Sequence, residues 1–423
     1  MTQTQTQQRT QKRNILISGG GIGGLCTALA LHAKGHHVTL CEATETLKPL
    51  GVGINVLPHA VAVLDEIGVL DSLRKIAVET SALIFANRHG QTIYKDPRGT
   101  SAGYSHPQLS IHRGQLQMHL WEEVVKRIGQ QHLHLGQKIR SVTQSADHIT
   151  ATAVLPDGTE VQHTADFLIA ADGIHSAIRK QFYPDEGAPK WNGMMMWRGT
   201  SRVKPFLDGR SMVQAGHRRA KFVVYPIEAP SADGLQLINW ICDRRLREDG
   251  FGGALTAPSR EDWNQQGDLN DLLPTFGEWK FEWLDIPEVL HGATQLFEWP
   301  MVDRDPLPRW RHDRVTLLGD AAHPMYPIGS NGATQAILDA KCIADALDRD
   351  LPLEAALDEY ESQRRPMCAD IVRLNRQEGL DAILDVVEER SPNGFAKLED
   401  VIDPDEIKGI VTTYKKAAGH RVG

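Results

Sequence analysis

Three glycines near the start of the chain have the spacing of a phosphate-binding turn. Gly19, Gly21 and Gly24 form a Gly-x-Gly-x-x-Gly sequence directly after the apolar run 14–18. The first glycine permits a tight turn, the second lets the backbone approach a pyrophosphate, and the third lets a helix pack closely on a strand. The glycines open an apolar helical pattern from Leu25 to Ala33, and the free N–H groups and dipole of a helix N-terminus favour the negative charge of phosphates. This spacing predicts a dinucleotide-binding site.

A second strand and an acid complete this unit. The strand-like run 37–41 ends at Glu42, about 20 residues after the glycines, where a carboxylate can bind both hydroxyls of a ribose. The alternative is a glycine-rich surface turn beside an ordinary acidic residue. Strand, turn, helix, strand and acid occur in the required order, which favours the binding site.

Two later segments have a similar character. Asp172 lies in the Asp-Gly sequence of the segment ADGIHSAIR at 171–179, which follows a buried run. Asp320 follows the apolar run 314–318 and begins the segment GDAAHPMYPIGSNGATQAILDA. A carboxylate only accepts hydrogen bonds, so Asp320 suits a ligand hydroxyl. Three such motifs in one chain predict one composite site.

Composition excludes several classes of protein. The chain has 423 residues, a hydrophobic content of 41% and a formal charge of −8. Its Lys and Arg residues are scattered, so we expect no nucleic-acid partner. The five cysteines show no CxxC spacing, which indicates reduced thiols in the cytoplasm and neither a disulfide framework nor a metal site. No apolar run reaches the ~18 residues needed to cross a bilayer.

The element pattern predicts two domains. Residues 14–72 have a βαβ pattern followed by a glycine loop and a helix at 58–66, and a long amphipathic helix is expected from about Ser110 to 128. Residues 181–299 contain seven of the nine Trp and several strand-like runs, and 333–387 has a helical pattern. We therefore expect a disordered tail at 1–13, a nucleotide-binding domain at 14–80, 105–180 and 300–375, a substrate domain at 81–104 and 181–299, and a C-terminal helical segment at 376–423.

Together these motifs resemble the single-component FAD-dependent aromatic hydroxylases, the group A flavin monooxygenases that include salicylate and 4-hydroxybenzoate hydroxylases. The resemblance extends from residue 15 to about 366. Within the family, the chain is most similar to the phenazine-carboxylate hydroxylases, in segments 51–61, 110–118, 299–308 and 325–340. It implies an α/β fold: a Rossmann-like FAD-binding domain with an inserted antiparallel-sheet substrate domain and C-terminal helices.

The resemblance also implies which residues contact FAD. Arg113 and Gln117, one helical turn apart, would contact the ribityl chain and phosphates, and Asp172 would lie near the pyrophosphate and the nicotinamide nucleotide. The helix opened by Gly332 would face the N1–C2=O edge of the flavin. The full set of expected cofactor contacts is Gly19, Gly21, Ile22, Gly24, Glu42, Gly51, Val52, Arg113, Gln117, Asp172, Asp320, Pro327, Gly332 and Ala333. Ser330 and Asn331 replace the Gly-Gln usual in the family, which indicates a subgroup.

The implied chemistry is that of the cofactor. NADH or NADPH reduces FAD, the reduced flavin reacts with O₂ to give a C4a-hydroperoxide, and this species hydroxylates an electron-rich ring. No catalytic side chain and no metal is required, and hydroxylation at a carboxylated carbon would release CO₂. The similarity to phenazine hydroxylases favours a fused or nitrogen-containing aromatic carboxylate over a simple phenol.

The expected substrate pocket combines aromatic and basic side chains. Arg198 or His59 would hold a carboxylate, although either could be a solvent-facing charge, and the aromatic side chains could be ordinary core residues. The set is His59, Trp197, Arg198, Tyr225, Trp240 and Tyr326.

Two other functions share parts of this pattern. A flavin-dependent dehydrogenase or oxidase would share the glycine turn and Glu42 but would not need the 319–340 segment. A non-catalytic escort protein of flavoprotein fold would share the architecture without retaining flavin. The oligomeric state and the choice between NADH and NADPH stay open.

Overall fold

The computed structural model describes residues 12–248, 257, 265–377 and 381–417. The strands are β1 Asn14–Ser18, β2 His37–Cys41, β3 Gly53–Val56, β4 Val78–Thr80, β5 Ala82–Ala86, β6 Thr92–Pro97, β7 Gln108–His112, β8 Leu133–His134, β9 Lys138–Gln144, β10 Ile149–Val154, β11 Glu160–Ala165, β12 Phe167–Ala170, β13 Lys190–Val203, β14 Met212–His217, β15 Ala220–Pro226, β16 Gln236–Arg245, β17 Lys280–Phe281, β18 Leu284–Asp285, β19 Ala293–Asp303, β20 Arg311–His312 and β21 Val315–Leu317. The helices are α1 Ile22–Ala33, α2 Pro58–Glu66, α3 Leu70–Leu73, α4 Arg113–Ile128, α5 Ala177–Phe182, α6 Leu273–Phe276, α7 Ile286–His291, α8 Asn331–Leu347, α9 Leu353–Asn375, α10 Ala382–Arg390 and α11 Pro404–Ala417.

A largely parallel sheet brings the sequence motifs to one edge. Its order is β20-β21-β12-β1-β2-β8, and β1 pairs in parallel with both β12 and β2. Parallel sheets are covered on both faces, which explains why β1 is a continuous apolar run. The chain leaves the carboxyl ends of these strands at Gly19, Glu42, Asp172 and Asp320. Ligands of such folds bind at this edge.

The long C-terminal helical pattern is divided into three helices, α8, α9 and α10. The helical pattern expected over 333–387 is observed as separate helices: α8 ends at Leu347 and α9 begins at Leu353. Helix α8 lies against α1 at close range, because a Cβ on Gly23 would be 3.0 Å from the Cβ of Ala336. This packing places the start of α8 beside the glycine turn.

A second, mainly antiparallel sheet has seven strands in the order β19-β13-β16-β15-β14-β5-β6. Strands β5 and β6, within the segment 81–104 that is expected in the substrate domain, lie at its edge. One face carries an aromatic core with α6 and α7, and α10 and α11 cover part of the other face. Mixed parallel and antiparallel layers confirm the predicted α/β fold class.

Two local expectations are wrong. The helix expected from Ser110 begins at Arg113 instead, because residues 108–112 form β7 between β3 and β4. Arg13, expected in the disordered tail, is 8% exposed and donates a hydrogen bond to the Leu351 carbonyl at 3.0 Å. Residues 1–11 of that tail and 418–423 of the C-terminal segment lie outside the described residues. Within the described chain, no helix has the length and apolarity required to cross a bilayer.

Candidate active site

The glycine turn has open space where a pyrophosphate would lie. Gly19 has a φ of +110°, and a Cβ there would be 2.4 Å from the Ala171 carbonyl oxygen. A Cβ on Gly24 would be 2.0 Å from the Gly19 carbonyl oxygen. A Cβ on Gly21, by contrast, would have no described atom within 4 Å, and Ile22 then begins α1. Gly19 and Gly24 thus serve close packing, whereas Gly21 faces the cleft.

Glu42 and Gln117 meet at this turn. The Gly20 N–H donates to Glu42 Oε2 at 2.6 Å, and the Thr44 N–H donates to Oε1 at 2.8 Å. The Gln117 amide donates to the Gly20 carbonyl at 2.8 Å. The turn is therefore held from β2 and from α4, and each carboxylate oxygen of Glu42 keeps a further lone pair for a ligand hydroxyl.

Arg113 connects α4 with the segment after residue 50. The backbone N–H of Arg113 donates to the Val52 carbonyl at 2.8 Å, and the Cδ of its side chain would be 3.9 Å from a Cβ on Gly51. Burial lowers the pKa of Arg113, and the Asp320 carboxylate opposes this shift. Arg113 and Asp320, more than 200 residues apart in sequence, therefore share one electrostatic environment.

Arg113→Ala should fold normally but lose FAD on dialysis. The guanidinium can form charge-assisted hydrogen bonds to ligand oxygens, and losing one costs about 1.5–3 kcal/mol. We therefore expect the FAD dissociation constant, measured by titration of the apoprotein, to rise about tenfold to hundredfold. Arg113→Lys keeps the charge and serves as the control. Equal FAD affinity in the wild type and both variants would show that the Arg113 side chain does not bind FAD.

Asp172 lies beside the glycine turn. A Cβ on Gly19 would be 3.1 Å from its Cα, and its Oδ2 accepts the Ala177 N–H at 3.0 Å. Its Oδ1 is buried and has no hydrogen-bond partner among the described residues. Burial raises the pKa of Asp172 to about 6, although hydrogen bonds from Ser176 and from the backbone oppose this.

Asp172 should make the stability of the apoprotein depend on pH. Its folded-state pKa is about 6 and its ordinary value is 3.8, so the folded state binds the proton more tightly than the unfolded state. The stabilisation is complete below the ordinary value and is lost as pH rises through the folded-state pKa. In the Asp172→Asn variant, the side chain at this position is uncharged at every pH. The free energy of unfolding of this variant, measured in urea, should therefore improve relative to wild type as the pH rises from about 4 to about 6, between the ordinary and the folded-state pKa. A constant difference would contradict this.

Residues 319–332, here called the 319–332 loop, form the opposite side of the cleft. Asp320 and Pro327 are exposed, and a Cβ on Gly332 would have no described atom within 4 Å. Ala333, in the first turn of α8, is half-buried. Sequence reasoning missed Arg179, whose Nη1 donates to the Ala321 and Ala322 carbonyls at 3.0 Å each. Its position in the 171–179 motif was the available signal.

One face of the seven-stranded sheet turns toward this cleft. Asn239 of β16 accepts the Gly53 N–H at 2.7 Å, which joins this face to β3. Tyr225 of β15 is paired directly with Asn239 and therefore shares its face of the sheet. On the other side of β16, Asn239 is paired with Thr200 of β13. Arg198 lies two residues before Thr200 along β13 and so points to the same face. Burial, followed by the charge of Arg113, lowers the pKa of Arg198 to about 9.

Trp197 and Trp240 lie on the opposite face. Both belong to the aromatic core with Phe276 and Trp279, and the Trp240 Nε1 donates to Ser201 Oγ at 2.9 Å. The structure therefore does not bring them together with Arg198. His59 lies in the first turn of α2 and is half-buried.

Tyr326 joins the 319–332 loop to the sheet. It is 1% exposed and packs with Met194 and Met301, and its hydroxyl has no hydrogen-bond partner among the described residues. Together with Ile328, these side chains line the apolar side of a pocket whose other side carries charged residues of β15, of β16 and of the segment that follows α9.

These residues fit an FAD. Open space at Gly21 and Gly332 provides close backbone approach, and Asp172 Oδ1 is a buried acceptor without a partner. Arg113 supplies positive charge and Asp320 an exposed acceptor on the same cleft. This donor set matches the phosphates and hydroxyls of a dinucleotide.

Comparison with known proteins gives the same result. Residues 12–375 match the family described as an FAD binding domain. Phenazine 1,6-dicarboxylic acid hydroxylase PhzS from Lysobacter antibioticus is 43% identical over 368 residues, covering 86% of this chain and 89% of that protein. Aurachin C monooxygenase/isomerase from Stigmatella aurantiaca is 30% identical over 361 residues, covering 85% and 86%.

Solved structures share the fold. HpxO from Klebsiella pneumoniae, complexed with FAD and uric acid, has a TM-score of 0.74 at 21% identity and covers 97% of this chain and 98% of its own. A salicylate hydroxylase substrate complex has a TM-score of 0.70 at 22% identity and covers 96% and 98%. The chain belongs to the FAD-binding-domain family of aromatic hydroxylases and is an FAD-dependent aromatic monooxygenase.

Proposed function

We propose that this monooxygenase hydroxylates a flat, fused nitrogen heteroaromatic acid and that Arg198 binds its acidic group. The observation that carries the proposal is the placement of Arg198. This side chain is only 7% exposed and lies close to a second guanidinium, that of Arg113. Two neighbouring cations repel each other, and an anion bound beside both relieves that repulsion. Tyr225, on the same face of the sheet, is 3% exposed and offers an aromatic surface next to this charge.

A pocket on the same sheet face offers apolar surface to a flat ring, since Asp243 in its lining lies four residues beyond Asn239 along β16. Met194, Met301, Tyr326 and Ile328 form its apolar side, and aromatic and methionine side chains adapt well to planar ligands. The 43% identical relative is a hydroxylase of phenazine 1,6-dicarboxylic acid, a fused ring of this kind. Trp197 and Trp240 are left out of the proposed pocket because they face the other way.

The chain's own residues bind and orient. Gly21, Arg113, Asp172 and Asp320 hold FAD, which when bound supplies electron transfer from NAD(P)H and oxygen activation. The sheet face with Arg198 holds the acidic group and thereby sets which ring carbon faces the flavin. No side chain is required to act as an acid or base in this scheme.

The test compares acids with their neutral analogues. Phenazine-1-carboxylate should stimulate NADH or NADPH oxidation by the holoenzyme, whereas phenazine and 4-hydroxybenzoate should stimulate it little. Arg198→Met should raise the KM for the acid about tenfold to hundredfold through loss of a charge-assisted bond, with FAD retained. Arg198→Lys should retain part of the effect. Equal stimulation by acid and neutral ring would contradict the proposal.

The same preparation separates the other two functions. An escort protein would purify colourless, and a dehydrogenase or oxidase would give no hydroxylated product. A yellow protein that forms product with O₂ uptake is expected.

A further inference from the structure

A buried carboxylate, that of Asp339, forms hydrogen bonds with the first half of the 319–332 loop. Asp339 of α8 has no exposed surface, and its Oδ2 accepts the Gly319 N–H at 3.1 Å. The same oxygen lies 2.6 Å from His323 Nε2. Asp320, a proposed FAD contact, lies between these two fastened residues. The first half of the loop therefore depends on the position of Asp339.

Arg364 of α9 connects Asp339 with the second half of the loop. Its Nε donates to Asp339 Oδ1 at 2.7 Å, and its Nη2 donates to Gln335 Oε1 at 2.6 Å. Gln335 Nε2 then donates to Asn331 Oδ1 at 3.3 Å. Asn331 is the first residue of α8 and lies in the C-terminal end of the 319–332 loop, which includes the first two residues of this helix. One guanidinium therefore joins two branches that reach opposite ends of the loop.

Every member of this network is buried. Arg364 is 6% exposed, Gln335 3%, Asn331 5% and His323 3%. Although burial disfavours ionisation of Asp339, the charges of His323 and Arg364 lower its pKa to about 2. The carboxylate is therefore ionised at neutral pH. Hydrogen bonds to a buried charge have restricted geometry, which makes the network a rigid support.

A metal site is the competing interpretation of this cluster. His323, Asp339 and Cys368 present ligand atoms within 4.8 Å of one another. However, both oxygens of Asp339 already accept hydrogen bonds, and Arg364 Nη2 lies 3.6 Å from Cys368 Sγ. The guanidinium supplies the positive charge that a metal ion would bring, so a second cation there would be repelled.

The loop needs such a support at its end. Ser330, the residue before α8, has a φ of +59°, in the left-handed region that residues other than glycine seldom adopt. The neighbouring Asn331 is held by Gln335 and donates to the Ile328 carbonyl at 3.4 Å. Side chains that surround a strained residue can hold it in place.

We propose that Arg364 is a positioning residue for FAD: through Asp339 and Gln335 it fixes the two ends of the 319–332 loop against the cofactor. It touches no proposed FAD contact itself and acts through the other members of the network. The inference rests on the cofactor contacts proposed above, in particular Asp320 and Gly332.

The test measures FAD binding and the environment of the bound flavin. Gln335→Met removes one branch at nearly constant volume and leaves the ion pair of Arg364 with Asp339. Arg364→Lys keeps the charge but cannot reach Asp339 and Gln335 together. Both variants should raise the FAD dissociation constant about threefold to thirtyfold. Both should also change the visible circular dichroism of the flavin at saturating FAD.

Arg13→Lys is the matched control, because Arg13 is buried at the opposite end of β1 from the glycine turn. It should leave both readouts unchanged. If Gln335→Met and Arg364→Lys lower only the melting temperature and bind FAD with wild-type affinity and dichroism, the network is merely structural and the inference is wrong. Gly21→Ala, measured in parallel, separates this result from a failure of the cofactor site: retained FAD in that variant would overturn the site itself.

Discussion

Gly21→Ala should fold normally and purify without FAD. The added methyl group meets no described atom within 4 Å, and the backbone φ of −73° is ordinary for alanine. The methyl group instead occupies the space where a pyrophosphate must approach the N-terminus of α1. Losing two charge-assisted bonds, at about 1.5–3 kcal/mol each, weakens binding about 100-fold or more. Flavin absorbance per protein and the melting temperature of the apoprotein measure the two effects.

Two other glycines provide controls for this result. Gly409→Ala on α11 also has open space and should retain FAD. Gly24→Ala should disturb the fold itself, because its methyl group would be 2.0 Å from the Gly19 carbonyl oxygen. Full flavin occupancy in Gly21→Ala would place the pyrophosphate elsewhere.

Trp240→Ala should destabilise the protein by about 3–5 kcal/mol, as expected for a large side chain removed from a core. Trp240 is fully buried, and its loss leaves a cavity against the aromatic cluster and removes the hydrogen bond that Ser201 Oγ accepts, while the Ser201 hydroxyl still donates to the Val289 carbonyl at 2.6 Å. The effect is large compared with the total stability of a typical domain. Urea unfolding measures it, and Trp240→Phe should cost less. FAD retention below the unfolding transition should be unchanged.

The same variant distinguishes the two faces of the sheet. If the Trp240→Ala protein is stable but phenazine-1-carboxylate no longer stimulates its NADH or NADPH oxidation, Trp240 belongs to the substrate pocket after all. Tyr225→Phe, on the other face, tests the pocket without creating a cavity.

Local signals were sufficient for the nucleotide-binding unit. Short apolar runs and helical periodicity predict β1, α1 and β2 in order, and Pro58 marks the first turn of α2 with its observed bounds. Strand β15, Ala220–Pro226, is one of the strand-like runs expected within 181–299. These elements depend on short-range preferences that the sequence records directly.

Other features depend on tertiary contacts and were not accessible. Trp197 and Arg198 must face opposite ways along β13, but both faces of this strand are buried, so alternation alone does not show which face meets the cofactor. Arg364 acts through residues 25 and 29 positions earlier in the chain. Only the packing of α9 against α8 brings them together.

The most direct test of the central claim uses labelled oxygen. The holoenzyme is supplied with NADH or NADPH, phenazine-1-carboxylate and ¹⁸O₂, and the product is analysed by mass spectrometry. We predict a hydroxylated product that carries one labelled oxygen atom for each nicotinamide oxidised. Nicotinamide oxidation that yields only hydrogen peroxide, with this acid and with other fused heteroaromatic acids, would contradict the proposed substrate class; an oxygenated product without label would contradict monooxygenation.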